Sequence, residues 1–139
     1  MKYVREETVH APADRVWQLL VDVAGWPRWT ESMREITRLD DGPLAVGSRS
    51  RVTQPTGRPM VWTVTELEPM RNFTWVAGQP GLRLEAVHRI EDAGDHVRTT
   101  LEFAATGPLG WLASVLAGSR VRSYVDMESA GLKRAAEAG

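Results

Sequence analysis

The chain contains no cysteine in its 139 residues. That excludes a disulfide framework, a thiolate nucleophile and any cysteine-ligated metal. Histidine is scarce: His10, His88 and His96 are the only three, with no pair at ligand spacing and no carboxylate cluster beside them. A G-x-S-x-G elbow is missing, and so are glycine-rich phosphate loops and basic aromatic patches. Charge is nearly balanced, 17 Lys and Arg against 18 Asp and Glu, so nothing draws the chain toward nucleic acid or an anionic membrane. Long hydrophobic runs are lacking too. The most apolar stretch, Leu109 to Ala117, is far short of the ~20 residues that span a bilayer, and no membrane insertion is expected. The N-terminal MKYVREETVHAP is mixed and charged, unlike a signal peptide. These absences lead us to expect a cytoplasmic monomer or homodimer, with no metal, no cofactor and no nucleic-acid partner.

What is present fits one globular domain over residues 1–139: 42% apolar and 25% charged residues, and enough chain to bury roughly two thirds of its unfolded surface. Tyr3 to Val9 alternates loosely as a first strand. His10-Ala11-Pro12 ends it, because the residue before proline avoids helix and proline suits a first helical turn. Ala13 to Val23 carries Val16, Trp17, Leu19, Leu20 and Val23 at helical spacing. Gly25 stops that helix, and Pro27 opens a second short helical turn ending near Glu31.

From Met33 the period becomes two. Strands are expected at Arg34–Leu39, Ser48–Thr53, Met60–Leu67, Phe73–Ala77, Leu82–Ile90 and Val97–Phe103, separated by turn clusters such as Asp40-Asp41-Gly42-Pro43 and Asp92-Ala93-Gly94-Asp95. After Gly107-Pro108 a helical pattern runs to the end, with Val121, Val125, Leu132 and Ala136 on one stripe. Gly118-Ser119 is its weak point. The fold class is α+β. A seven-stranded antiparallel sheet with one apolar face needs a cover, and the C-terminal helix is the long amphipathic element available. A curved sheet around one helix leaves its wider end open for a pocket.

The segments Ala11-Pro12-Ala13-Asp14-Arg15-Val16-Trp17, Asp22-Val23-Ala24-Gly25-Trp26-Pro27-Arg28-Trp29, Asp41-Gly42-Pro43 with Val46-Gly47-Ser48-Arg49, Glu68-Pro69, His88-Arg89-Ile90-Glu91, Val97-Arg98-Thr99-Thr100 and Gly131-Leu132-Lys133 carry a resemblance. In them the chain resembles the SRPBCC (START-related, helix-grip) superfamily, in its polyketide cyclase/dehydrase branch. The resemblance implies two short helices after strand 1, a curved sheet wrapped around the last helix, and a hydrophobic cavity between them. It implies binding of a small hydrophobic, polyketide- or lipid-like molecule more directly than it implies catalysis, since its landmarks are turns and packing positions.

His88 is the candidate catalytic residue. It lies between Ala86 and Ile90 on the apolar face of its strand, where a neutral imidazole can transfer a proton or serve as a hydrogen-bonded core residue. Candidate cavity residues are Trp17, Leu20, Trp29, Ser50, Trp62, Val64, Phe73, Trp75, Leu84, His88, Thr99, Leu101, Leu116, Tyr124 and Met127. Each apolar member is equally readable as core. Within GWPRW (25–29) we expect Trp26 to be the more buried ring and Trp29 the more exposed. If Val9 faces inward, Tyr3, Arg5 and Glu7 share its face. They are then ligand anchors, a paired wet edge, or displaced by a bulge.

Three functions compete. A ligand-binding or carrier protein needs only the apolar lining. A polyketide cyclase, aromatase or dehydrase would add one proton-transfer group and need no cofactor. An interaction module would use the sheet's outer face, but Arg83, Glu85, Arg89, Arg98, Thr100 and Glu102 make that face polar. Binding ranks first and the cyclase second.

Overall fold

The computed structural model describes all residues, 1–139. β1 (Lys2–Val9) is followed by α1 (Ala13–Val21) and a 3-10 turn (Val23–Arg28). Then come β2 (Glu35–Arg38), β3 (Arg49–Thr53), β4 (Met60–Glu68), β5 (Asn72–Gln79), β6 (Leu82–Asp92), β7 (Val97–Thr106) and α2 (Gly110–Glu137). The seven strands form one antiparallel sheet in the order β1-β7-β6-β5-β4-β3-β2. Strands β2 to β7 each pair with a sequence neighbour, and β1 returns to the free edge of β7 from Lys2↔Ala104 to Val9↔Val97. Alternation dictates which side is covered: Val97, Thr99, Leu101 and Ala105 of β7 are buried, while Arg98 between them is exposed. A bulge at Val64/Glu66 between β4 and β5 adds twist, and α2 packs along β1 and β7.

The helical pieces differ from expectation in two places. α1 ends at Val21, and the expected second turn from Pro27 toward Glu31 is instead the 3-10 turn, with Pro27 inside it. Asp22, at φ −82° and ψ 67°, breaks the α-helical run, and a side chain at Gly25 would press on its carboxylate. The expected weak point at Gly118-Ser119 leaves no break, because α2 runs unbroken from Gly110 to Glu137. Packing against the sheet outweighs the ~1 kcal/mol propensity cost of one glycine.

α2 is fastened chiefly at its C-terminal half. The Arg15 guanidinium donates to the carbonyls of Ala135 and Ala136, both at 2.8 Å, which otherwise lack helical partners. Lys133 Nζ donates to Thr8 O at 2.6 Å and to Glu137 at 2.8 Å. Gly131 lies directly on the Trp29 backbone, where a Cβ would strike the carbonyl oxygen.

The inward face of β1 is also paired: Tyr3 OH donates to Asp126 Oδ1 at 2.7 Å, and Arg5 meets Asp126 at 3.3 Å and Glu7 at 3.6 Å. Tyr3, Arg5, Glu7 and Val9 do share one face, with no bulge against β7, and the charges answer one another. They are a partnered, partly wet edge. The first turns of α2 are different. Trp111, Val115 and Leu116 there are 67–73% exposed, an apolar face with no cover within this chain.

Candidate functional site

The concave face of the sheet and α2 enclose a cavity of about 230 Å³. β6 contributes Leu82, Leu84, Ala86 and His88, successive residues on the face that alternation turns inward. α2 contributes Ala113, Ala117, Val121, Tyr124, Val125 and Glu128, whose spacing of three and four keeps them on one side of the helix. Trp26, Trp62, Trp75 and Phe103 supply broad apolar walls.

Hydrophobic side chains make up 19 of the 23 lining residues; the others are the half-buried, uncharged amide Gln54 and the titratable His88, Glu102 and Glu128. Glu102 alternates onto the convex side of β7, where Lys2 and Arg89 meet its carboxylate at 3.8 and 4.0 Å. The Tyr124 hydroxyl is shared with Thr56 Oγ1 at 3.0 Å. His88 and Glu128 are thus the two titratable side chains turned into the apolar space.

His88 is 2% exposed and stacked on Phe73, with ring centroids 4.2 Å apart and planes at 20°. Trp26 and Trp75 meet it edge-on. Its Nδ1 lies 3.2 Å from the Phe73 carbonyl, which only accepts, so Nδ1 carries the proton and Nε2 is the acceptor. Burial pushes its pKa down to about 4, against a smaller opposing effect of the Phe73 carbonyl, so the ring is neutral at pH 7. Glu128 is half-buried, and its carboxyl is the converse case. Burial pushes it up to about 8, opposed in part by the Ser32 hydroxyl. Neither group pairs with the other, and no three His, Asp or Glu side chains gather where they could hold a metal ion.

Of the residues singled out by sequence, Trp62, Trp75, Leu84, His88, Leu101 and Tyr124 line this cavity. The others sit elsewhere. Trp17, Leu20, Val64, Phe73 and Thr99 are packed in the core, and Ser50 is buried with its hydroxyl unpartnered. Trp29 is half-buried beneath Gly131 of α2, whereas Trp26, 1% exposed, is the GWPRW ring that reaches the cavity. Trp26 also contacts Trp29, Phe73, Trp75 and His88, and its Nε1 donates to Leu20 O at 3.0 Å. Leu116 and Met127 face solvent, because their positions lie on the side of α2 turned away from Ala117, Val121 and Glu128.

Sequence reasoning missed Trp26, Met1, Met33, Phe103 and Glu128. A signal for Glu128 existed: it stands four residues after Tyr124 and seven after Val121, inside the stripe read as apolar.

An open antiparallel sheet gripping one long helix around an apolar cavity defines the helix-grip class of ligand-cavity folds. The chain belongs to the polyketide cyclase/dehydrase and lipid transport family, whose model matches residues 1–137. Its fold is similar to that of the Helicobacter pylori hypothetical protein jhp0584 (TM-score 0.83, 16% identity), over 98% of this chain and 88% of that one. It is similar as well to TTHA0849 of Thermus thermophilus (TM-score 0.77, 19% identity), over 99% and 98%. The di-domain aromatase/cyclase BexL of the BE-7585A biosynthetic pathway matches at TM-score 0.69 and 23% identity. That match spans 96% of this chain but 45% of BexL. No curated protein matches the sequence. No helix is long and apolar enough to cross a membrane.

Proposed function

We propose that the protein binds a small, largely apolar molecule in the cavity between the sheet and α2. The observation that carries this reading is the cavity itself: about 230 Å³ walled by Trp62, Trp75, Leu84, Leu101 and their neighbours, with His88 and Glu128 among its few polar side chains. Burial of apolar ligand surface supplies the affinity, at roughly 25 cal/mol per Å² before the costs of association. Family membership and the likeness to an aromatase/cyclase support the same reading. The test is saturable quenching of tryptophan fluorescence by a panel of polyaromatic and fatty compounds, repeated on Ala117→Trp, which fills the cavity. Quenching by none of them, or equal quenching in the filled variant, rules the site out.

A second reading, a cofactor-free polyketide cyclase or dehydrase, is favoured by one observation. His88 lines the cavity as a neutral ring whose Nδ1 is engaged by Phe73 O, which leaves Nε2 as the acceptor able to take a proton from a carbon between two ketones during ring closure. The surrounding walls would impose the chain conformation, which is the larger share of such catalysis. His88→Phe should then abolish turnover of a poly-β-ketone while leaving its equilibrium binding within about threefold. Unchanged turnover would remove His88 from the mechanism.

A further inference from the structure

α2 carries two acidic residues in its central turns, and the fold treats them in opposite ways. Asp126 faces the edge of the sheet at β1, away from the cavity, and is answered by Tyr3 and Arg5. Glu128, two residues on, faces the cavity with neither a salt bridge nor a cation beside it. Other elements line the same cavity, and the segment after β3 adds the uncharged amide of Gln54. α2 adds Ala117, Val121, Val125 and the Tyr124 hydroxyl, already shared with Thr56. The segment before β2 adds Ser32, whose hydroxyl is shared between Thr30 Oγ1, at 2.7 Å, and the Glu128 carboxyl. β6 adds the neutral His88 ring, and β7 adds Glu102, paired on the opposite face. The α-ammonium of Met1 is the only cation at the cavity, and it donates to Ala105 O at 3.2 Å.

A carboxylate in such surroundings is costly, whereas a carboxylic acid is tolerated and has an O–H to give. Burial holds the Glu128 carboxyl protonated at neutral pH, which agrees with this geometry. We propose that Glu128 is the polar anchor of the cavity, donating its proton in a hydrogen bond to a carbonyl oxygen of an uncharged, otherwise apolar ligand. The proposal rests on the cavity-binding reading and adds the class of ligand. A ring ketone fits, with the carbonyl toward α2 and the hydrocarbon against Trp62 and Trp75. A bare hydrocarbon offers the acid O–H no acceptor. A carboxylate enters a space with no free cation to meet it.

The test is equilibrium dialysis of three probes sharing one ring system: naphthalene, 2-acetylnaphthalene and 2-naphthoate. At pH 6.5 the intact protein should bind the ketone about tenfold more tightly than naphthalene, as one buried hydrogen bond allows, and 2-naphthoate more weakly than either. Glu128→Leu should bring the ketone and naphthalene to equal affinity. Glu128→Gln retains an N–H donor and should keep the preference, without the loss of ketone binding that the intact protein shows between pH 7 and 9. Naphthalene binding with an unchanged ketone preference in Glu128→Leu would overturn the anchor while leaving the cavity reading intact. So would 2-naphthoate binding as tightly as the ketone. Binding of no probe by any of the three proteins would overturn both.

Discussion

At the scale of single residues, two buried titratable groups in one cavity wall give opposite linkages to pH. Glu128, raised to about 8 from 4.5, makes the folded state bind the extra proton. Its contribution to stability is complete below pH 4.5 and is lost as pH rises through 8. His88, lowered to about 4 from 6.5, makes the unfolded state bind the extra proton. Its contribution is complete above pH 6.5 and is lost as pH falls through 4. Each slope is on the order of 1 kcal/mol per pH unit, and the two oppose each other between pH 4.5 and 6.5. Urea unfolding should therefore show the intact protein losing stability relative to Glu128→Gln from pH 6.5 to 8.5. It should likewise lose stability relative to His88→Phe from pH 6.5 down to 4. Parallel curves in either comparison would mean that the group titrates normally. The tryptophans divide just as sharply by position. Trp26→Ala should cost about 3–5 kcal/mol, since it removes the ring that Trp29, Phe73, Trp75 and His88 pack on. Trp111→Ala, at a site 67% exposed, should change stability by about 0.5 kcal/mol or less.

At the scale of elements, α2 decides how well the sheet is gripped, and its glycines report where the grip is tight. Gly131→Ala would drive a methyl group into the Trp29 carbonyl, a backbone atom that moves only with the 3-10 turn. A loss of about 2–3 kcal/mol is expected, within the range for overpacking. Gly118→Ala meets only the flexible ends of Arg122 and Met1 and the Ser114 hydroxyl, at 3.4–4.0 Å. It should stabilise the helix by up to about 1 kcal/mol. Thermal unfolding of both variants checks the contrast, and similar effects would mean that α2 lies differently on the sheet. The strand bounds were legible to within two residues except at the end of β7, which runs three residues past Phe103 to Thr106, because alternation with a buried face is a strong local pattern. The bounds of the 3-10 turn were less so: Gly25 and Pro27 both read as punctuation, and both lie inside one short turn.

At the scale of the whole molecule, the cavity exists because the Leu and Ala side chains of β6 stand between the larger Trp75 of β5 and Phe103 of β7, beneath a helix whose inner side is mostly Ala and Val. A molecule that fills it binds only the folded state. Saturation at a hundred times its Kd should raise stability by about 2.7 kcal/mol, a shift of several degrees in Tm. Differential scanning fluorimetry with 2-acetylnaphthalene reads this directly, and an unmoved Tm at saturation would refute it. The uncovered face of Trp111, Val115 and Leu116 belongs to this scale too. In sequence it is half of an apolar run that any buried helix would show, and only the docking of α2 reveals which half is left outside.

The amino-acid sequence by itself determined the element order, the inward faces of β6 and β7 and the placement of His88 among apolar neighbours. Those follow from period-two alternation and from glycine and proline punctuation, which act within a few residues. Only the tertiary structure decided that Trp26 reaches the cavity and Trp29 the underside of α2. It alone showed that Asp126 answers Tyr3 and Arg5, that Arg15 caps the end of the last helix, and that Glu128 faces the cavity without a charged partner. Each of these depends on how α1, the 3-10 turn and α2 are rotated and docked against one another and the sheet. That docking is set by long-range packing, of which the chain carries only faint local traces, such as the spacing of Glu128 from Val121 and Tyr124.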